Sequence, residues 1–136
     1  MESRTVFDTN ILVSHTIFGR FHELAKIAIN YDVVFLRSLP LISEIKEVLS
    51  RKKFAKYNVN LDEFIDMFLD ISKFCHTVST FSACPDPKDN FLFDLALQGN
   101  AKYLVSGDKA VLSTPVSSEK LKVTTLPAFK EYLHIH

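Results

Sequence analysis

The sequence predicts an α/β domain built on a mostly parallel sheet. Short strand-like apolar runs alternate with amphipathic helical stretches along the chain, the pattern of a parallel sheet with helical crossovers. One run, Val33-Val34-Phe35-Leu36, is continuously apolar, as a strand covered on both faces must be. With three glycines and five prolines, no stretch reads as a linker, a repeat or low complexity, so one domain spanning residues 1–136 is expected.

Thr5-Val6-Phe7 reads as the first strand, stopped by the capping-type residues Asp8-Thr9-Asn10, with a helix following through Ile11, Leu12 and His15. Periodicity predicts a second helix from Phe21 to Ile29, with Leu24, Ile27 and Ala28 turned inward. After the strand at 33–36, Ser38 reads as an N-cap with Pro40 in the first turn. That helix carries Leu41, Ile45, Val48 and Leu49 at helical spacing and ends in the basic run Arg51-Lys52-Lys53. A further amphipathic helix is expected from Leu61 to Phe74, then a strand at Thr77-Val78-Ser79. Asp86-Pro87 opens a helix through Leu97, and Tyr103-Leu104-Val105 is the next strand. Gly107-Asp108 begins a short helical turn, Lys122-Val123-Thr124 is the last strand, and a helix from Leu126 to Leu133 closes the domain. Right-handed crossovers would place helices on both faces, and ligands would bind at the carboxyl ends of the strands.

Composition excludes several classes of function. The 16 basic and 16 acidic residues balance to zero, whereas a protein that coats nucleic acid carries a basic excess. No apolar run approaches the ~18 residues of a membrane span. Met1-Glu2-Ser3-Arg4 leads straight into a strand without a signal-peptide pattern. Cys75 and Cys84 show no metal-ligand spacing, so a cytoplasmic protein is expected. The histidines, His136 included, show no catalytic pairing.

The acids are more informative. Asp8 follows the first strand and reads either as a helix cap or as a ligand. Glu44 lies at the rim of the apolar arc of its helix, beside Val48 and Leu41; as a first-turn acid it would also be favoured by the helix dipole. In Asp86-Pro87-Lys88-Asp89, Asp86 has the position of a cap, and Asp89 faces back toward the strand ends from the first turn. Gly107 permits a tight turn that lifts Asp108 above its strand, although Asp108 also reads as a cap. Asp8, Asp89 and Asp108 would emerge on one sheet edge. Clustered carboxylates raise one another's pKa values, and a divalent cation relieves that repulsion. Oxygen-only ligands suit Mg2+ or Mn2+, and such an ion activates water for attack on a phosphodiester.

Phe7-Asp8-Thr9-Asn10, Ser43-Glu44-Ile45-Lys46-Glu47-Val48-Leu49, Asp86-Pro87-Lys88-Asp89-Asn90 and Val105-Ser106-Gly107-Asp108 match in order the four acidic blocks of the PIN domain. The resemblance covers essentially the whole chain and is nearest to the branch of PIN-family toxins of bacterial toxin–antitoxin pairs. It implies a three-layer α/β/α sandwich and a Mg2+- or Mn2+-dependent endoribonuclease with Asp8, Glu44, Asp89 and Asp108 as its acidic site. Asp86 is then accessory, Thr9 or Asn10 supports the first aspartate, and Ser106 stands where Thr is more familiar, with the hydroxyl kept. The resemblance further implies RNA as substrate, an antitoxin as partner and a homodimer.

Arg51, Lys52 and Lys53, with Lys56 nearby, read either as a solvated helix end or as a phosphate-positioning rim. Lys109, beside Asp108, is a second candidate for meeting phosphate. The competing reading is a PIN-like module that binds RNA or protein without cutting; four intact acids argue against it. An aspartyl-phosphate phosphotransferase ranks low, because Asp8-Thr9-Asn10 lacks the second acid two residues on.

Overall fold

The computed structural model describes residues 2–135; Met1 and His136, which belong to the leader and histidine readings above, lie outside the described residues. Five short strands pair in parallel: β1 (Ser3–Phe7), β2 (Val33–Arg37), β3 (Ser72–Phe74), β4 (Tyr103–Val105) and β5 (Lys122–Thr124), in the order β3-β2-β1-β4-β5. The chain builds outward from β1 through β2 to β3, then crosses back to β4 and β5. The direction reverses between β1 and β4, which opens a crevice at their carboxyl ends. Thr5 pairs with Tyr103 and Phe7 with Val105, and the N–H of Asp8 continues the ladder to the carbonyl of Val105 at 2.9 Å.

Among the described residues seven helices flank the sheet: α1 (Thr9–Ile17), α2 (Phe21–Asn30), α3 (Leu39–Leu49), α4 (Leu61–Ile71), α5 (Asn90–Gln98), α6 (Lys109–Leu112) and α7 (Leu126–Tyr132). Right-handed crossovers of opposite direction put them on both faces, so the fold is an α/β/α sandwich. Phe129 of α7 packs edge-on against Phe7 and Tyr103, while Phe21 of α2 packs edge-on against Phe64 and Phe68 of α4. α5 sinks Leu92, Phe93, Leu95 and Ala96 into the core against β1 and β4. Among the described residues no helix is long and apolar enough to cross a membrane.

Most expected elements are present to within a residue or two, and Ser38 caps α3 by accepting from the N–H of Leu41, with Pro40 in the first turn. Three differ. α4 stops at Ile71, and the third strand is Ser72–Phe74, not Thr77–Ser79. The guanidinium of Arg37 at the end of β2 donates to the carbonyls of Leu69 and Ser72, occupying acceptors that another helical turn would use. Ser72 turns extended (φ −121°, ψ 157°) and the chain pairs with β2. Val78 has no strand neighbour; its N–H and carbonyl pair with the side-chain amide of Gln98 at 2.9 and 2.7 Å. Third, the run Arg51-Lys52-Lys53 does not end α3, which is capped at Ser50; residues Lys52–Tyr57 form a separate 3-10 turn.

Candidate acidic site at the β1–β4 crevice

Asp8 is the first residue past β1 and is almost fully buried, 3% exposed. One carboxylate oxygen accepts the backbone N–H of Asn10 at 3.2 Å, capping α1. The other accepts the hydroxyl of Ser106 at 2.6 Å. Ser106 sits at the end of β4 with no solvent exposure, and its oxygen also accepts the N–H of Asp108 at 3.0 Å. A single hydroxyl thus ties Asp8 to the turn carrying Asp108. Asp108 is half-buried and caps α6 by accepting from the N–H of Ala110 at 2.8 Å. Capping engages only one oxygen of each: the other oxygen of Asp8 meets Ser106, and the other oxygen of Asp108 has no hydrogen bond among the described residues.

Asp86 caps the 3-10 turn Pro87–Asp89, accepting from the N–H of Lys88. Asp89 stands at the N-cap position of α5, yet its side chain makes no capping bond. Glu44 is half-buried. Because α3 begins at Leu39, Glu44 lies beyond the first turn, and the dipole does not account for it. Glu47 is solvent-facing and pairs with Arg51 at 2.7 Å.

The electrostatics join these acids. Burial pushes the carboxyl of Asp8 above its ordinary value, with Ser106 and Asn10 opposing and the charge of Asp108 adding to the rise. Glu44 is raised by burial and by Glu47, with a contribution from Asp8, while Arg51 and Lys88 pull it down. Asp89 is pushed up to about 6 by burial and then by Asp8, Asp86, Asp108 and Glu44 in turn. Burial disfavours the charged form of Asp89, and the four neighbouring carboxylates add to that rise. The donors are all oxygen, which fits a hard divalent ion. Among the described residues no three acids, histidines or thiols close into a ready-made ligand set, so the acids share a field and not yet a coordination sphere.

Asn10 supports Asp8, through its backbone N–H. Other expectations need correction. Thr9 is 3% exposed and its hydroxyl has no hydrogen-bond partner among the described residues, so it does not support the carboxylate directly. Gly107 adopts no left-handed conformation, and a Cβ built there meets nothing within 4 Å; the Ser106 hydroxyl shapes that turn. Of the basic run, Arg51 is held in two hydrogen bonds by Glu47, while the ammonium groups of Lys53 and Lys56 lie over the neighbouring rings of Phe54 and Tyr57. Lys52 and Lys109 are exposed. The cation that sequence reading passed over is Lys88, whose charge acts on both Glu44 and Glu47; its signal was its place inside Asp-Pro-Lys-Asp.

Two clefts flank the acids. One of 430 Å³ is lined by Asn10, Ile11, Ser14, His15, Gly107 and Asp108. The other, of 420 Å³, includes Pro40, Lys88, Asn90 and Phe91. A further cavity of 490 Å³ lies between α2, α4 and the turn at Tyr57 and contains none of these four acids.

The PIN domain family model matches residues 4–110 of this chain. The fold is also similar to a chain in the crystal structure of VapBC2 from Rickettsia felis bound to a DNA fragment from their promoter. The TM-score is 0.57 and the identity 17%, with 90% of this chain and 98% of that chain covered; the likeness is one of fold. No curated protein matches.

Proposed function

The chain belongs to the PIN domain family, whose members are generally nucleases, and from that premise we propose that it is a Mg2+- or Mn2+-dependent endoribonuclease, the toxin of a toxin–antitoxin pair. The observation that supports this reading is that Asp8, Asp86, Asp108 and Glu44 all raise the pKa of Asp89, in a sheet whose strand order switches between β1 and β4. A bound divalent ion would supply activated water and neutralise charge on the phosphodiester.

The chain's own residues do the rest. Asp8, Asp89, Asp108 and Glu44 would hold the ion, and the Asp89 side chain makes no capping bond that competes. Ser106 fixes the orientation of Asp8, and Asp86 fixes the turn from which Asp89 projects. Lys88, whose charge acts on Glu44 and Glu47, and Lys109, next to Asp108 in the chain, would serve as counter-charges for the phosphate backbone, with exposed Lys52 and Lys53 as further candidates; Arg51, held by Glu47, contributes only if that pair opens. Neutral overall charge with local cations suits an enzyme that must release its product. Two free cysteines fit a reducing cytoplasm. The toxin assignment rests on the sequence resemblance and is supported by the likeness to VapBC2; an antitoxin partner and a homodimer go with it.

The test is cleavage of structured and single-stranded RNA with Mg2+, Mn2+ or EDTA, alongside Asp8→Asn and Asp108→Asn. Metal-dependent cutting by the wild type, lost in both variants, is expected. Equal cutting by all three proteins, or none by any under every metal, overturns the mechanism. Growth arrest on expression, relieved by Asp8→Asn, is the expected mark of a toxin.

A further inference from the structure

The cleft beside Asp108 is built from one face of α1. Asn10 and Ser14 lie one helical turn apart, as do Ile11 and His15, and i, i+4 pairs share a face. Across from them stand Gly107 and Asp108, so the cleft opens directly onto the acidic edge. Its 430 Å³ falls in the range that holds a small ligand, about 300–1,000 Å³. Gly107, exposed and without a side chain, leaves that wall open to close approach.

The imidazole of His15 is pinned in this cleft. Its Nδ1 lies 2.8 Å from the carbonyl oxygen of Ile11. A carbonyl only accepts, so Nδ1 carries the proton and donates. In the neutral ring Nε2 is then an acceptor with a free lone pair, and no hydrogen bond to it is present among the described residues. The ring is half-buried, held by a main-chain contact, and short of one donor.

In a nucleic-acid strand whose scissile phosphate lies at the acidic edge, the group one step away is the adjoining sugar. Its hydroxyl donor is the ribose 2′-OH, which DNA lacks. We propose that the His15 cleft is a sugar subsite, in which Nε2 of His15 accepts the 2′-OH of the nucleotide flanking the scissile phosphate and selects RNA over DNA. This rests on the nuclease reading for the class of substrate. His15 is a specificity-determining residue in it; the acids do the chemistry.

The experiment measures binding apart from cleavage. Fluorescein-labelled random-sequence nonamers of RNA and of DNA are titrated with the full chain in EDTA, for the wild type, His15→Ala and His15→Gln, each checked for folding by thermal melting. One net hydrogen bond is worth roughly three- to tenfold in affinity. The wild type is expected to prefer RNA by about that factor; His15→Ala loses the preference by weakening RNA binding alone, and His15→Gln, whose amide oxygen can accept, keeps part of it. Equal wild-type affinity for RNA and DNA, or a His15→Ala loss equal on both, overturns the proposal; the latter points to a phosphate or base contact. An RNA preference that depends on His15 in a protein that never cuts RNA upholds the subsite and removes the nuclease reading instead.

Discussion

Replacing Ser106 by alanine probes the hydroxyl that joins the two halves of the acidic edge. Ser106 is fully buried, and its hydroxyl makes a 2.6 Å bond to the Asp8 carboxylate, which is itself shielded from water. A hydrogen bond to a charged acceptor contributes roughly 1.5–3 kcal/mol. The second bond, accepted from the N–H of Asp108 at 3.0 Å, serves a half-buried residue that water can reach in part, and its loss adds about 0.5 kcal/mol. Part of the cost is offset because Asp8, already raised by burial, takes up a proton more readily without Ser106. We expect Ser106→Ala to destabilise the metal-free protein by ~2 kcal/mol at neutral pH, read by urea unfolding followed by far-UV circular dichroism. In an Asp8→Asn background the same substitution should cost about 1 kcal/mol less, since the charge it served is gone. Ser106→Thr keeps the hydroxyl, and any loss there comes from fitting one methyl into a closed site. A loss under about 0.5 kcal/mol for Ser106→Ala, with no coupling to position 8, would refute the bridging role.

Four other outcomes follow from the geometry. Asp89→Asn should stabilise the metal-free fold: a shift from 3.8 to about 6 scales at ~1.4 kcal/mol per unit, and solvent screening at this half-exposed carboxyl reduces the gain to about 1 kcal/mol, measured by the same unfolding assay. The raised pKa also fixes a sign with pH. The folded state holds the proton more tightly than the unfolded chain, so stability is fullest below the ordinary value of 3.8 and declines as pH rises through about 6; the melting temperature of the metal-free protein should fall across that window, and less so in Asp89→Asn. Asp94→Ala should cost ~2–4 kcal/mol, because one oxygen of this buried carboxylate accepts the N–H groups of Thr80 and Phe81 and the Thr80 hydroxyl; proteolysis should then open the 77–83 segment first. Gly107→Ala should change stability by less than about 0.5 kcal/mol, since the added Cβ meets nothing.

The sequence was most readable where one local signal sufficed. The apolar runs of β1, β2 and β4 and the caps at Asp8, Ser38, Asp86 and Asp108 are spelled within a few residues of where they act. α4 was over-extended because Phe74 continues its apolar rhythm, whereas the group that ends the helix is Arg37, 32 positions before the Leu69 carbonyl it takes. An edge strand such as Ser72–Phe74 has almost no signature of its own; its partner defines it. Asp8, Asp86, Asp89 and Asp108 could be picked out because each sits at an element's end, whereas Glu44, inside α3, was legible only from its rim position and the family resemblance. That Asp89 lacks a capping bond while Asp8 and Asp108 keep theirs depends on local turn geometry, and that Ser106 reaches Asp8 depends on the register of β1 against β4. The cleft that His15 shares with Gly107 and Asp108 and the reach of Lys88 to Glu44 and Glu47 join distant segments, which no local pattern spells.

The bond between Ser106 and Asp8 spans 98 positions of chain. Contacts of such separation are costly to close and form late when a chain folds. A polypeptide emerging from the ribosome exposes Asp8 and Glu44 well before it exposes β4, and until β4 docks beside β1 neither the hydroxyl nor Asp108 is at hand. The acidic edge is therefore finished only once synthesis has passed Asp108, a built-in delay of about a hundred residues after Asp8 before the edge exists.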